Sequence, residues 1–463
     1  MARERNTEHK RSKTPPRSLF QSAPAKVMGP RLMVILSTFA LLAVGLVMVY
    51  SSSSITSYVE QGDALGETVK QCAFALLGIV IAVIISFVVK QDGMQGPGGL
   101  VFWVVCVALI GITAVLGTVG LGAKRWLIIG PISIQISEFA KIAFVMMGAR
   151  IAAQYREGYL DFNSAVKQTL ILVVAPLVFM FFAQSDLGTT LICCIGLFSV
   201  LILSGLSGRN VAVLIVLSLL VVAAAVLSKS YRADRLGNFM DPWADAQGTG
   251  YQLVHSFKAL ASGGLFGAGI GNSYEKLQYL PEAETDFIFA IIGEELGLVG
   301  ALLVIVAFLV FLRGGFLIAS QASTPFGSLL AAGLTVMIVF QAFLNISCVV
   351  GLAPTTGKPL PFISSGGSSL LSSLTLVGVL LSISFDSDNE GEYRQRRDNL
   401  QVVSKVPSSG HTARSERGVN GRGARTHRST LSERSGRPSL QVVRNDKPPA
   451  YAAEVRVMRT QRR

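Results

Sequence analysis

Three carboxylates, Glu282, Glu284 and Asp286, stand in the stretch Leu280-Pro-Glu-Ala-Glu-Thr-Asp-Phe, at the lip of a long apolar run that continues from Phe287. An ionisable group at the edge of a hydrocarbon-length segment is expensive to keep, which makes Asp286 a functional candidate, with Glu282 beside it. The polar loop upstream, Lys229 to Glu284, carries Lys229, Arg232, Arg235, Lys258 and Lys276 among aromatics and glycines. Cations and carboxylates would therefore meet at one membrane surface, and the ligand suited to such a place is an anionic headgroup on an apolar tail.

Other segments bring chemistry to the same side. In Lys124-Arg125-Trp126, two cations flank an interfacial ring, and Ser137 is placed to cap a helix that begins at Glu138. Glu138 and Lys141, three apart, share a helix face. They read equally as an internal ion pair or as part of a ligand site, in which Lys124, Arg125 and Lys141 would engage a pyrophosphate. In Gln184-Ser-Asp186-Leu-Gly-Thr189, helix capping alone accounts for Asp186, a site role being the other reading. The run Gly263-Gly264-Leu-Phe-Gly267-Ala-Gly269-Ile-Gly271 has the look of a nucleotide-binding glycine loop, but no strand precedes it and no crossover helix follows. Its glycines, in a loop pressed on a membrane surface, are expected to permit tight turns and close backbone approach to something bound. Asp241, Trp243, Asp245, Tyr251 and Gln252 are acids, rings and amides of the kinds that recognise sugars and also of the kinds found in turns. Glu294 and Glu295 lie about two turns beyond Asp286, so one is expected to face a cation such as Lys141 or to stay protonated. Pro354, Pro359 and Pro361 forbid regular helix in the last long loop, where Thr356, Ser364 and Ser365 are candidates to hold a polar headgroup.

These groups need a scaffold, and the composition says which. Of 463 residues 51% are hydrophobic and 15% charged, which excludes an ordinary soluble globular protein and points to an all-α polytopic membrane protein. About ten runs are long enough to cross as helices: Leu32–Tyr50, Val69–Val89, Leu100–Val119, Ser137–Ala153, Thr169–Ala183, Leu187–Leu203, Val211–Leu227, Phe287–Leu312, Leu329–Val350 and Leu370–Ile383. A large extracytoplasmic loop, residues 229–284, separates the seventh and eighth. The N-terminal arm, residues 1–28, and the tail, residues 386–463, are basic, which places both termini in the cytoplasm. The first run is read as a retained anchor rather than a cleaved signal. The tail, poor in large apolar residues, is expected to be disordered and to meet anionic lipid or proteins, with no module for nucleic acid. All five cysteines fall within apolar runs, which argues against disulfides and thiolate metal sites.

Five blocks, KRWLIIGPISIQISEFAKIA, QSDLGTT, DPWADAQGTGYQLVHSFKALASGGLFGAGIGNS, KLQYLPEAETDFIFAIIGEELGLVGALLV and PTTGKPLPFISSGGSS, in this order resemble the SEDS family (shape, elongation, division and sporulation) over about Arg31 to Phe385. The resemblance is greater to its division branch than to its elongation branch. It implies a peptidoglycan glycosyltransferase of the bacterial cell membrane, working at the septum. The implied substrate is lipid II, a disaccharide-pentapeptide on undecaprenyl pyrophosphate. The implied partners are a class B penicillin-binding transpeptidase and other division proteins, and Asp286 is implied to be essential. Glu284 stands where the family commonly has His, and Lys358 where an apolar residue is usual.

On that resemblance, the 4-hydroxyl of an acceptor sugar attacks the anomeric carbon of a donor on a lipid pyrophosphate, with Asp286 accepting or orienting the proton. Lys124, Arg125 and Lys141 would neutralise the leaving group, with Arg232 and Arg235 as additions. Glu138, Gln252 and Glu282 complete the candidate substrate contacts. No compact ligand cluster is legible, so a divalent cation, Mg or Mn, is an optional assistant rather than a required cofactor. The competing readings are a lipid II flippase using Glu294, Glu295 and Lys141, and a scaffold acting through its tails.

Overall fold

The computed structural model describes residues 25–120, 123–129, 132–206, 208–209, 216, 237, 239–398, 400–403 and 441–444. Its helices are α1 (Ala25–Gln61), α2 (Gly66–Val88), α3 (Gln91–Gln95), α4 (Pro97–Leu116), α5 (Ile136–Arg156), α6 (Phe162–Thr169), α7 (Ala175–Gln184), α8 (Leu187–Leu203), α9 (Tyr251–Gly263), α10 (Ile288–Gln321), α11 (Pro325–Val349) and α12 (Gly367–Asp398). A π-helical turn, Leu170–Val174, joins α6 to α7 into one span. Nine of the ten expected runs fall on these helices; the seventh, Val211–Leu227, lies outside the described residues except for Val216.

Composition sorts the helices into layers. The inner ones, α11 and α12 above all, are buried along most of their length, whereas α2 and α4 turn Leu76, Val80, Val83, Val101 and Val105 outward, as lipid-facing helices must. Small residues set the closest contacts. A Cβ at Gly378 would meet the Ala82 backbone at 2.8 Å, and one at Gly45 would meet Ile363 Cα at 2.7 Å. Helix starts follow the usual signals: Pro325 opens α11, whose Thr324 cap accepts from the Gly327 amide at 3.0 Å.

Three features depart from the expected all-helical reading. The segment after α4 folds into a three-stranded antiparallel sheet, β1 (Thr118–Gly120), β2 (Ala123–Ile129) and β3 (Ile132–Gln135). Trp126 pairs with Gln135 and Leu127 with Ile134. The β-branched runs on either side of Gly130-Pro131 carry that signal. Ser137 does not cap α5: the helix starts one residue earlier, at Ile136, after Gln135. Past the boundary at Asp386, α12 continues to Asp398, and in the separate C-terminal unit β4 (Leu400–Val403) pairs with β5 (Gln441–Arg444).

The glycine-rich run is a structural device. Helix α10 breaks at Gly297, whose φ is 68° and ψ −169°. Residues 264–269 lie along the break, where Ala268 and Gly269 amides donate to the Glu294 and Glu295 carbonyls at 2.9 and 3.0 Å, and the Leu298 amide donates to the Gly264 carbonyl at 2.9 Å. The backbone groups freed by the kink are thus satisfied by the loop. A Cβ at Gly267 would overlap the Glu295 carbonyl, and its φ of 79° is unfavourable for any L side chain. Gly267→Val is therefore expected to prevent a stable fold, measured as loss of the monodisperse species in detergent and of a cooperative thermal transition.

Candidate active site

Asp286 lies in the turn that precedes α10, one residue before its N-cap Phe287, and is half-buried. The carbonyl of Glu282, a residue at φ 56°, accepts from the Thr285 and Phe287 amides, and its carboxylate accepts from the Thr285 hydroxyl at 2.6 Å. Glu282 thereby shapes the turn while remaining exposed. Asn345 on α11 donates from one Nδ2 to two carbonyls, of Asp286 at 2.7 Å and of Lys358 at 2.8 Å, tying the Asp286 turn to the proline-rich loop. Gly357 comes so near that a Cβ there would lie 3.5 Å from Asp286 Oδ2. Between these segments is a cavity of about 30 Å³, lined by Gln252, Asp286, Asn345, Thr355, Thr356 and Lys358 among others. Of the candidate residues, Asp286, Gln252 and Thr356 are therefore brought together.

Beneath the cavity lies a buried ionic network. Lys141 Nζ donates to Glu138 Oε2 and to Gln341 Oε1, both at 2.7 Å. Lys358 Nζ donates to Asp186 Oδ2 at 2.8 Å and stands 3.8 Å from Glu138 Oε1. Gln135, Ser137 and Thr189 also donate to Asp186 Oδ2, at 3.2, 3.3 and 2.8 Å. All four charged side chains are at least 97% buried. Asp186 is the N-cap of α8, its Oδ1 accepting from the Thr189 amide at 3.0 Å, so the capping reading and a network role coexist. Gly188 gives the Lys358 chain room, because a Cβ there would stand 2.7 Å from Lys358 Cγ.

This network corrects several expectations. Lys141 is committed to Glu138 and Gln341, and a direct contact with a headgroup would require breaking those bonds in the interior. Arg125 spends Nε and Nη2 on the Gln184 and Ser185 carbonyls, each at 2.9 Å, and so closes the C-terminus of α7 where Ser185 adopts φ 49°. Ser364 donates its hydroxyl to the Thr285 carbonyl at 2.6 Å and accepts from the Leu360 amide at 2.8 Å. The Ser365 amide donates to the Glu284 carbonyl at 2.8 Å. The Ser364 hydroxyl and the Ser365 amide staple the proline-rich loop to the Asp286 turn, so the Ser364 hydroxyl is spent inside the protein. The partner of Glu295 is Lys276, at 2.8 Å, with Ser51 bridging, and not Lys141; Glu294 accepts from the Ser273 hydroxyl and from the Tyr274 amide at 2.8 Å. Lys124 lies on β2, its side chain outside the described residues, as are Arg232 and Arg235.

Asn345, Gln341 and Lys358 were not singled out as site groups from the sequence. Gln341 and Asn345 are amides one helical turn apart within an apolar span, and that cost was the legible signal. Among the described residues no group of three or more His, Cys, Asp or Glu side chains converges.

The electrostatics make a pH prediction. Burial by itself would raise the Asp186 carboxyl, but the Lys358 and Arg125 charges and the hydrogen bonds from Lys358 and Thr189 overcome it and lower the pKa from 3.8 to about 2. A carboxyl depressed in the folded state stabilises the fold above its unfolded pKa, and that contribution disappears as pH falls through the folded value. The melting temperature in detergent is expected to drop between about pH 4 and pH 2, and Asp186→Asn to flatten that part of the profile.

The sequence signature of a family described as "Cell cycle protein" (FtsW/RodA/SpoVE) matches residues 31–389. The chain is 36% identical over 365 residues to stage V sporulation protein E of Bacillus subtilis, covering 78% of this chain and 98% of that protein. It is 34% identical over 355 residues to a probable peptidoglycan glycosyltransferase FtsW of Geobacter metallireducens, covering 76% and 94%. A solved peptidoglycan synthase complex, described as coordinating polymerisation and crosslinking, contains a chain of similar fold, with TM-score 0.62, 25% identity and coverage of 76% and 97%. The rod shape determining protein RodA of Thermus thermophilus shares the fold at TM-score 0.56 and 22% identity, covering 79% and 98%.

Proposed function

The chain belongs to the FtsW/RodA/SpoVE family of cell cycle proteins, and on that footing we propose a residue-level account of how this multi-pass membrane protein acts as a peptidoglycan glycosyltransferase that polymerises lipid II into glycan strands. The observation that supports the account most is the joining of Asp286, Gln252 and Thr356 around one cavity, with the Asp286 and Lys358 backbones held by a single amide of Asn345.

In this account the Asp286 carboxylate accepts the proton from the 4-hydroxyl of the acceptor sugar as that oxygen forms a bond to the donor's anomeric carbon. The bond from that carbon to the pyrophosphate breaks, and the electron pair leaves with the lipid pyrophosphate. Gln252 and Thr356 orient sugar hydroxyls. Lys124, Arg232 and Arg235, with the unspent part of the Arg125 guanidinium, stabilise the departing charge. Lys141 and Glu138 act indirectly, by fixing α5 under the loop. Much of the rate comes from positioning, because a carboxylate is a weak base. We place this activity at division, with a class B penicillin-binding transpeptidase as partner and both termini cytoplasmic.

The test is polymerisation of labelled lipid II by the purified full-length chain in detergent, with and without a class B partner. Glycan that lengthens with the partner supports the account. Absence of polymer under every condition, alongside movement of lipid II across liposomes, would assign the chain to the flippase reading. That reading has one structural weakness: Glu295, Lys141 and Glu138 are all engaged in short internal pairs.

A further inference from the structure

Asn345 can make one more hydrogen bond than the protein gives it. Both hydrogens of its Nδ2 are spent, on the carbonyls of Asp286 at 2.7 Å and of Lys358 at 2.8 Å. Because both partners are carbonyls, the nitrogen must face them, and this fixes which end of the amide is left over. That end, Oδ1, has no hydrogen-bond partner and is shut off from solvent, on a residue only 2% exposed. Gln341, one turn earlier on α11, shows the contrast: its Oε1 accepts from Lys141 at 2.7 Å and its Nε2 donates to the Pro359 carbonyl at 3.0 Å.

A buried acceptor without a donor is costly to keep. Among the described residues, no other side chain with an unpartnered buried polar atom lines the Asp286 cavity, and most of the others are hydroxyls, which can turn to find an acceptor. The pinned amide cannot turn. Asn345 shares its wall with Asp286, Gln252 and Thr356, so a donor is missing where the reacting groups meet. The cavity, about 30 Å³, has room for little more than a water molecule. A sugar therefore enters only as the walls part, and parting them uncovers the amide.

The class of the missing donor follows from the neighbours. Nδ2 is bonded to the carbonyl of Asp286 itself, so Oδ1 is held beside the residue that takes the proton of the 4-hydroxyl. That hydroxyl has a single hydrogen, which goes to the Asp286 carboxylate. The hydrogen for Oδ1 must come from a group flanking C4 of the same sugar. We propose that Asn345 Oδ1 accepts a hydrogen bond from the 3- or 6-hydroxyl of the acceptor sugar, and that this contact, made only when the sugar occupies the cavity, selects an acceptor with its hydroxyls correctly set around C4. The contact rests on the glycosyltransferase reading and adds to it a residue that determines specificity.

The experiment pairs the residue with the hydroxyl. With the full-length chain and a class B partner in detergent, kcat/KM is measured on lipid II and on lipid II whose N-acetylglucosamine is 3-deoxy or 6-deoxy. Wild type, Asn345→Leu and Asn345→Asp are compared, with melting temperatures alongside. Wild type is expected to lose about tenfold on one of the two deoxy substrates, as when a buried acceptor is left empty. Asn345→Leu, which lacks Oδ1, should be slow on lipid II yet lose nothing further on that deoxy substrate. Asn345→Asp keeps an acceptor oxygen and gives up the two donor bonds, so it should melt lower and still discriminate. Loss of the staple alone would slow all substrates equally, so this coupling is a readout that a structural role does not move. Wild type indifferent to both deoxy substrates, a result that needs no folded variant, would overturn the contact. So would equal discrimination by wild type and Asn345→Leu, which would give the hydroxyl to Gln252 or Thr356. Wild type that polymerises none of the three substrates would remove the glycosyltransferase reading and the contact with it.

Discussion

Asp286→Ala is expected to lower the rate of lipid II polymerisation by about 10²- to 10⁴-fold, the range carried by a positioned general base. The loss should fall on kcat, because Gln252 and Thr356 remain to bind sugar when the carboxylate is removed. Asp286→Asn separates proton acceptance from hydrogen bonding: its amide can still orient a hydroxyl but cannot take the proton, so it should be nearly as inactive as alanine. Asp286→Glu, with the carboxylate displaced by one methylene, should retain an intermediate rate. Folding is expected to survive in all three, since Asn345 and the Glu282 turn grip the backbone of this segment. The measurement is the initial rate of glycan formation from labelled lipid II beside the melting temperature of each variant. Polymerisation by Asp286→Asn at the wild-type rate would remove Asp286 as the base.

The second large effect is expected at Lys358. Replacing it with Met keeps the length of the side chain and removes the ammonium that stands 2.8 Å from Asp186 and 3.8 Å from Glu138. Two buried carboxylates would then share Lys141 and the more distant Arg125, and breaking a buried pair in this way costs about 3–5 kcal/mol. The proline-rich loop, tied down by that ammonium at one end and by Asn345 at the Lys358 carbonyl, would loosen against Asp286. Lys358→Met is therefore expected to lower both the melting temperature and the polymerisation rate. Lys358→Met combined with Asp186→Asn should recover much of the stability, because the second change removes the charge left stranded by the first. A double variant no more stable than Lys358→Met alone would show that the two side chains do not act as a pair.

This lysine also shows where a sequence stops being informative. The family resemblance implies an apolar residue where Lys358 stands, yet the partner that holds it, Asp186, is 172 positions away and is already explained locally as a helix cap. Arg125 beside Trp126 has the composition of an anion site, and only the fold shows two of its donors closing α7. The glycine run was read as a place of close backbone approach to something bound, but what it approaches is the kinked stretch of α10 at Gly297, set by tertiary packing. Lys141 was a reasonable partner for Glu295 on charge alone; the described structure gives Glu295 to Lys276 instead.

What the sequence by itself determined was the membrane class, nine of the helical runs among the described residues, and the placing of Asp286 at the lip of α10. These follow from local quantities, because hydrocarbon thickness sets the length of an apolar run and a carboxylate at its end is costly wherever the rest of the chain goes. Only the tertiary structure decided which ions pair across the chain, that the Ser364 hydroxyl is spent as a staple and which residues share the cavity with Asp286. Coulomb attraction and hydrogen bonding act across a few ångströms of space, without regard to the distance along the chain that separates the groups.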